Sequence, residues 1–249
     1  MKVKTVISVI GMFFLLGGCF KSPGDCFKST GTIAKEERTV LPYHKIELHN
    51  NVNLYLINGT GNTIKVEAGK NLLEKIETKT DETGMLVIKN ENSCNWVRDY
   101  RKPVNVYLPA GRVDSILYQS IGNIYNGAGV DTLYLDSLSI EVKEGSGTIA
   151  LTLSSYFLEC ALHYGTADIR LSGKTELSFV FANGWGKVDN RNLSCTKIYA
   201  INQSGNDMFL YATLHLEVSI KGMGNVYYFG KPSEIVTDIQ NEGRLIKLE

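Results

Sequence analysis

Three acids and two arginines recur at matching places in the second half of this chain. Asp168, Asp189 and Asp207 follow Gly165, Gly186 and Gly205, and Arg170 and Arg191 lie two residues beyond the first two acids. Attack on an acidic polysaccharide calls for clustered carboxylates, often with a bound cation, beside an Arg or Lys base. Neighbouring strands could bring these residues into such a ladder. The simpler reading, which we favour, is a solvated strand face where opposite charges pair, each pair worth well under about 1 kcal/mol. Other chemistries find less support. His44, His49, His163 and His215 are scattered, with no Ser or Cys nucleophile in a G-x-S-x-G elbow. Cys26, Cys94, Cys160 and Cys195 fall in no CxxC and no zinc spacing. Cys160 alternates in phase with Leu158 and Leu162 and reads as a small buried hydrophobe, and whether any of the four forms a disulfide is left open. The chain is rich in glycine but lacks a P-loop lysine, and no helix follows any Gly turn, so no nucleotide site is assigned. With 26 basic and 26 acidic residues the net charge is zero. There is no basic field to hold a phosphate backbone, which excludes nucleic acid as a partner. No catalytic residue, metal or cofactor is assigned.

Binding surfaces offer more. Trp185 lies inside the turn Asn183-Gly184-Trp185-Gly186, from which a ring cannot easily reach a core. An exposed indole suits stacking on a sugar or a partner protein. Trp96 and Tyr100, in the stretch CNWVRDYRK (residues 94–102), are candidate contacts of the same kind. Tyr125, Tyr199, Tyr211 and Tyr227 project outward in the same reading. The bland alternative has these aromatics capping the core or stacking between layers of chain.

The elements that must position such residues begin after a targeting segment. Lys2 and Lys4 precede a short apolar run, residues 6–16. At about eleven residues it is too short for the roughly 30 Å bilayer core, so residues 1–18 read as a removable signal. The run ends in Leu16-Gly17-Gly18-Cys19, which looks like a bacterial lipobox. Lipidation at Cys19 would anchor the mature chain to a membrane through its acyl chains. Residues 19–39 are polar, contain Gly and Pro and lack periodicity, and they read as a flexible tether. Beyond them apolar and polar residues alternate with period two, punctuated by Gly, Asn and Pro, which is the strand signature. Residues 71–79 form the one plausible helix, but we favour a strand there, opening a hairpin closed by Asp81-Glu82-Thr83-Gly84. The fold class is all-β.

Residues 40–113 form an N-terminal β region, and from residue 114 to 249 a repeat takes over. Gly-centred turns at Gly122, Gly147, Gly165, Gly186, Gly205, Gly224 and Gly243 recur at intervals of about 18–25 residues, the last three intervals being equal. Such a period marks a solenoid of about 19–21 residues per coil. Each coil holds two main strands, a tight Gly turn and a looser turn such as Ser154-Ser155, Gly173-Lys174 or Gly230-Lys231-Pro232. One coil cannot cover its own apolar face, so coils stack at about 4.8 Å. An antiparallel meander would repeat every eight to twelve residues and is disfavoured. Leu138, Ile140, Val142; Leu158, Cys160, Leu162, Tyr164; Leu177, Phe179, Phe181; and Leu216, Val218, Ile220 alternate as inward sets. Ser178 and Glu217 fall on the wet face, and the coil with Val188, Asn190 and Asn192 is irregular. The glycines are expected at positive φ, so that Gly205→Val or Gly224→Val costs about 1 kcal/mol or more.

The tract at residues 46–89, then PVNVYLPAG (residues 103–111), then turns such as EGSGTI and QSGNDM, resembles the autotransporter adhesin head GIN domain family, DUF2807-type, common in Bacteroidota. The resemblance spans residues 40–249. It implies a right-handed parallel β-helix or β-roll, pectin-lyase-like in shape but without the catalytic residues, and a role in adhesion. This chain departs from the family at His49-Asn50-Asn51, where a Gly turn is usual, and at the inserted stretch holding Trp96 and Tyr100. The expectation is a lipid-anchored, non-enzymatic interaction module of the outer membrane, surface-exposed or facing the periplasm, that binds a host protein or a glycan. The alternative is a carbohydrate-binding or polysaccharide-active solenoid. Self-association through the exposed end of the solenoid is left open.

Overall fold

Period-two alternation becomes strand nearly everywhere in the computed structural model, which describes residues 29–92 and 103–249. The signal segment, Cys19, Cys26, Cys94, Trp96 and Tyr100 lie outside the described residues. The strands of the first half are β1 (Ile33–Thr39), β2 (Lys45–Asn50), β3 (Val52–Ile57), β4 (Thr63–Gly69), β5 (Ile76–Thr80), β6 (Met85–Asn90), β7 (Val104–Pro109), β8 (Ser115–Ser120), β9 (Ile124–Asn126) and β10 (Leu133–Tyr134). Those of the second half are β11 (Ser137–Gly145), β12 (Thr148–Leu162), β13 (Asp168–Ala182), β14 (Val188–Asn202), β15 (Met208–Ile220), β16 (Val226–Phe229), β17 (Glu234–Ile239) and β18 (Leu245–Lys247).

These strands of the described residues all belong to one hydrogen-bonded sheet wound into a β-solenoid of about seven turns. Its two faces enclose a single apolar core. One face runs β1-β4-β7-β3-β9, then the first halves of β12 to β15, then β16 and β18. The other runs β5-β6-β2-β8-β11, then the second halves of β12 to β15, then β17. Among the described residues, pairing is parallel except for β1–β4, β4–β7 and β5–β6, all near the N-terminal end.

From β11 onward each coil lies directly on the one before it, in the register Leu158↔Ser178↔Ile198↔Leu216. The looser turns expected at Ser154-Ser155 and Gly173-Lys174 are bends inside unbroken strands, because the ladder continues through them. The last coil breaks, at Gly230, into β16 and β17. The coil of Val188 and Asn190 is irregular as expected. Register shifts flank it, and Asn190 is buried, its Oδ1 accepting the Leu171 N–H at 3.2 Å.

The first half is wound differently. β2 and β3 form a coil that β6 and β7 cover on one side and β8 and β9 on the other, so the chain descends through β4, β5 and β6 before crossing to β8. Within residues 71–79 the chain forms a short 3-10 turn, Leu73–Lys75, and then the expected strand, paired antiparallel with β6. Residues 33–39, read as tether, are instead β1. They bury little apolar surface and are held by the ladder to β4 and by Arg38, whose guanidinium reaches the Leu73 carbonyl at 2.9 Å, so hydrophobic pattern carried no signal.

At the tight turns, equivalent positions become visible through backbone contact. A Cβ on Gly122, Gly147, Gly186, Gly224 or Gly243 would strike the carbonyl of Val52, Gly122, Ala167, Asn206 or Gly224 in the coil below, at 2.5 Å or less. Gly165 and Gly205 occupy other places in the turn. Close approach, rather than positive φ, demands glycine at Gly224, and Gly205 has neither constraint: its φ is ordinary and a Cβ there meets nothing within 4 Å. That corrects the expectation for both residues. Asn50, in the stretch His49-Asn50-Asn51, takes φ 59, a left-handed conformation that asparagine tolerates.

Candidate functional site

On the second half of β13 the alternation is inverted relative to its sequence reading, while Tyr199 on β14 points outward as expected. Ser178, Val180 and Ala182 point into the core, as do Ile198 and Ala200, all at most 3% exposed. Leu177, Phe179 and Phe181 therefore point outward, joined by Phe157 from β12 and Tyr199 and Ile201 from β14. Phe179 is 42% exposed. Tyr164, also expected inside, is 67% exposed. The cause is a one-residue slip. Treating Gly165 and Gly186 as equivalent makes the coil one residue too long and places Phe179 over Leu158, whereas the structure pairs Leu158 with Ser178. A slip of one residue exchanges the two faces of a strand.

The outward residues form a groove of about 440 Å³ running across β12 to β15. One wall is Phe179 and Tyr199, stacked at 5.1 Å between centroids and 15° between planes. The other is Phe181 and Ile201. Stacked rings cover each other's faces and turn their edges to solvent. Along the first wall the register reads Glu159↔Phe179↔Tyr199↔Glu217, so a carboxylate closes each end. Glu159 accepts a hydrogen bond from Ser139 Oγ at 2.8 Å, and Glu217 lies 3.7 Å from His215 Nε2. Beneath the groove, burial pushes the Cys160 thiol up to about 12, and burial does the same for Cys195. Both are free and buried, as the phase of Cys160 suggested.

Trp185 stands where its turn predicted, at the tip of the corner and 76% exposed, with Ile121 and Met223 at the equivalent tips of other coils, 62% and 66% exposed. Gly205 holds the tip next to Trp185 and leaves open space there. Tyr125, Tyr199, Tyr211 and Tyr227 are outward and half-buried, and several meet rings of neighbouring coils: Tyr125 lies tilted against Tyr55 at 6.0 Å, and Tyr227 stacks on Phe209 at 5.0 Å. The acids of the proposed ladder serve the turns. Asp168 pairs with Arg170 at 3.0 Å and accepts the Lys187 N–H; Asp189 pairs with Arg191 at 2.7 Å; Asp207 accepts the Asn225 N–H at 2.9 Å. Arg191 also lies 4.1 Å above the Phe209 ring. Each histidine meets a carboxylate: His44 with Asp114, His49 with Glu47, His163 with Glu141, His215 with Glu234. Among the described residues no group of three acids, histidines or cysteines is placed to hold a metal ion.

Sequence reading missed a staircase at the tight turns. The Asn53 side-chain carbonyl accepts the Asn123 N–H, Asn123 accepts from Thr148, Asp168 from Lys187, Asp207 from Asn225, and Asn225 from Arg244. Its only trace in the sequence was an Asn or Asp right after the tight-turn position, which is glycine before Asn123 and Asn225 but Val52, Ala167 or Asn206 before the others.

Comparison with solved structures sets this geometry among known folds. A putative adhesin from Bacteroides fragilis superposes with TM-score 0.76 at 18% identity, over 87% of this chain and 97% of that one. A putative adhesin from Parabacteroides distasonis gives 0.66 at 15% identity, over 88% and 98%. Another protein of that species, described as a putative lipid binding protein, gives 0.63 at 16% identity, over 89% and 98%. At these identities the likeness speaks for the fold. Comparison with curated proteins returned no match. The family described as "Putative auto-transporter adhesin, head GIN domain" matches residues 42–232, and the chain belongs to that family, DUF2807.

Proposed function

We propose that the protein is a lipid-anchored interaction module of the cell envelope that binds, in adhesion or ligand capture, and does not catalyse. The observation that carries this reading is the apolar outer face of β13 and β14. Burying a side chain such as Phe or Ile is worth about 1.5–3 kcal/mol, yet the fold leaves Phe179, Tyr199 and Ile201 outside and packs Ser178, Ala182 and Ala200 within. A contiguous apolar patch kept on a rigid surface suits a partner. Family membership among adhesins agrees with it, and no helix of the described residues is long and apolar enough to cross a membrane. Trp185 on the corner, with Trp96 and Tyr100, remains a candidate further contact, and Cys19 the site of the anchor. Against catalysis stands the engagement of Asp168, Asp189 and Asp207 by arginines and turn amides.

The test is retention of beads coated with the full chain on host-cell monolayers. Phe179→Ser together with Tyr199→Ser should abolish retention while leaving the melting temperature within a few degrees, since both side chains point outward. Undiminished retention by the double variant would overturn the reading.

A further inference from the structure

We infer that the groove between the Phe179–Tyr199 wall and the Phe181–Ile201 wall receives an extended peptide segment with basic side chains four residues apart and an apolar side chain midway between them. This rests on the reading of that face as the binding surface and adds the chemistry of its partner.

Charge complementarity makes the first argument. Glu159 and Glu217 close the two ends of one wall, and among the described residues neither is ion-paired with a lysine or arginine. Lys221 lines the far side of the groove, outside ion-pair distance of Glu217. His215 is the basic group near Glu217, and it is already bound at 2.9 Å to Glu234. Three coil spacings separate the two carboxylates along the ladder, roughly 14 Å at about 4.8 Å each. An extended chain rises about 3.3–3.4 Å per residue, so side chains at i and i+4 span nearly the same distance. They also share a face with the side chain at i+2. A segment laid along the groove thus sets two cations over Glu159 and Glu217 while its central apolar side chain enters between Phe181, Ile201 and the ring edges.

Ring geometry makes the second argument. A sugar stacks on an aromatic face, and the faces of Phe179 and Tyr199 are turned toward each other. What the groove offers is apolar edge and aliphatic surface, which fits an aliphatic side chain better than a pyranose.

The experiment uses the full chain and capped synthetic decapeptides centred on Lys-Thr-Leu-Thr-Lys, with calorimetric titration at low salt. Controls replace both Lys by Glu, replace Leu by Ser, or shorten the Lys spacing to three. The parent peptide should bind at least about tenfold more tightly than every control. Glu159→Gln with Glu217→Gln should remove at least that factor without changing the melting temperature. Equal affinity for the controls, an unaffected Gln variant, or a preference for oligosaccharides or phosphatidylcholine vesicles over every peptide would overturn the inference. If the peptides fail while the Phe179→Ser, Tyr199→Ser variant still loses bead retention, the face remains a binding surface and only the peptide chemistry falls. If both fail, the reading of the face falls with it.

Discussion

The two halves of the solenoid reach the same stacking by opposite routes. From β11 onward each coil rests on its immediate predecessor, so the carbonyl that Gly186 crowds belongs to Ala167, one coil earlier in the chain. In the first half the coil of β2 and β3 is enclosed by strands the chain makes later, and the carbonyl that Gly122 crowds belongs to Val52, with five further strands made between them. The same close approach is thus local in one half and long-range in the other. Sequential coils couple mainly to their neighbours and can open separately, whereas an interleaved coil ties together distant chain and opens only with the whole.

Substitution at the crowded glycines tests that difference most severely. Gly122→Val should prevent cooperative folding altogether, seen as loss of amide protection in β2, β3 and β8 alike. Gly186→Val should cost about 3 kcal/mol or more, because a branched side chain would overlap the Ala167 carbonyl, yet leave β2 and β3 protected in hydrogen exchange. Equal spreading of damage in the two variants would break the contrast.

A smaller effect comes from the two buried thiols, both in the sequential half. Burial raises each from 9.0 to about 12, so the folded chain keeps its protons longer than the unfolded one. Their contribution to stability is therefore whole below about pH 9 and is lost as pH rises toward 12. Denaturant titrations across that range should show the midpoint falling, and Cys160→Ala with Cys195→Ala should flatten the fall. The smallest effect belongs to Gly205→Val. With open space around it and no positive φ, this change should shift stability by less than about 0.5 kcal/mol, while Gly224→Val, aimed straight at the Asn206 carbonyl, behaves like Gly186→Val.

The sequential half was legible because its information is local. One glycine per coil and one apolar phase per strand suffice to state the period, and Leu138, Leu158 and Leu216 fall inside as their phase predicts. The interleaving of β2 and β3 was not legible, since alternation identifies a strand but says nothing of a partner so far along the chain. Nor was the groove, for the opposite reason. On β13 both phases are plausible, and the rule that larger apolar residues go inside chooses Phe179 and Phe181 over Ser178, Val180 and Ala182. Only the true length of that coil, which brings Ser178 and not Phe179 beside Leu158, would have reversed the choice. Where the pattern misleads is where the surface departs from what folding alone would select.

The bends inside β12 to β15 carry a mechanical meaning. Because those strands pass from one face to the other without interruption, each coil is joined to the next by a row of backbone bonds directed along the solenoid axis, with gaps where the register shifts. A pull along the strands would shear the whole row at once, whereas a pull along the axis opens it bond by bond. A grip taken at the aromatic groove would therefore hold firm under load directed along the strands and then let go abruptly.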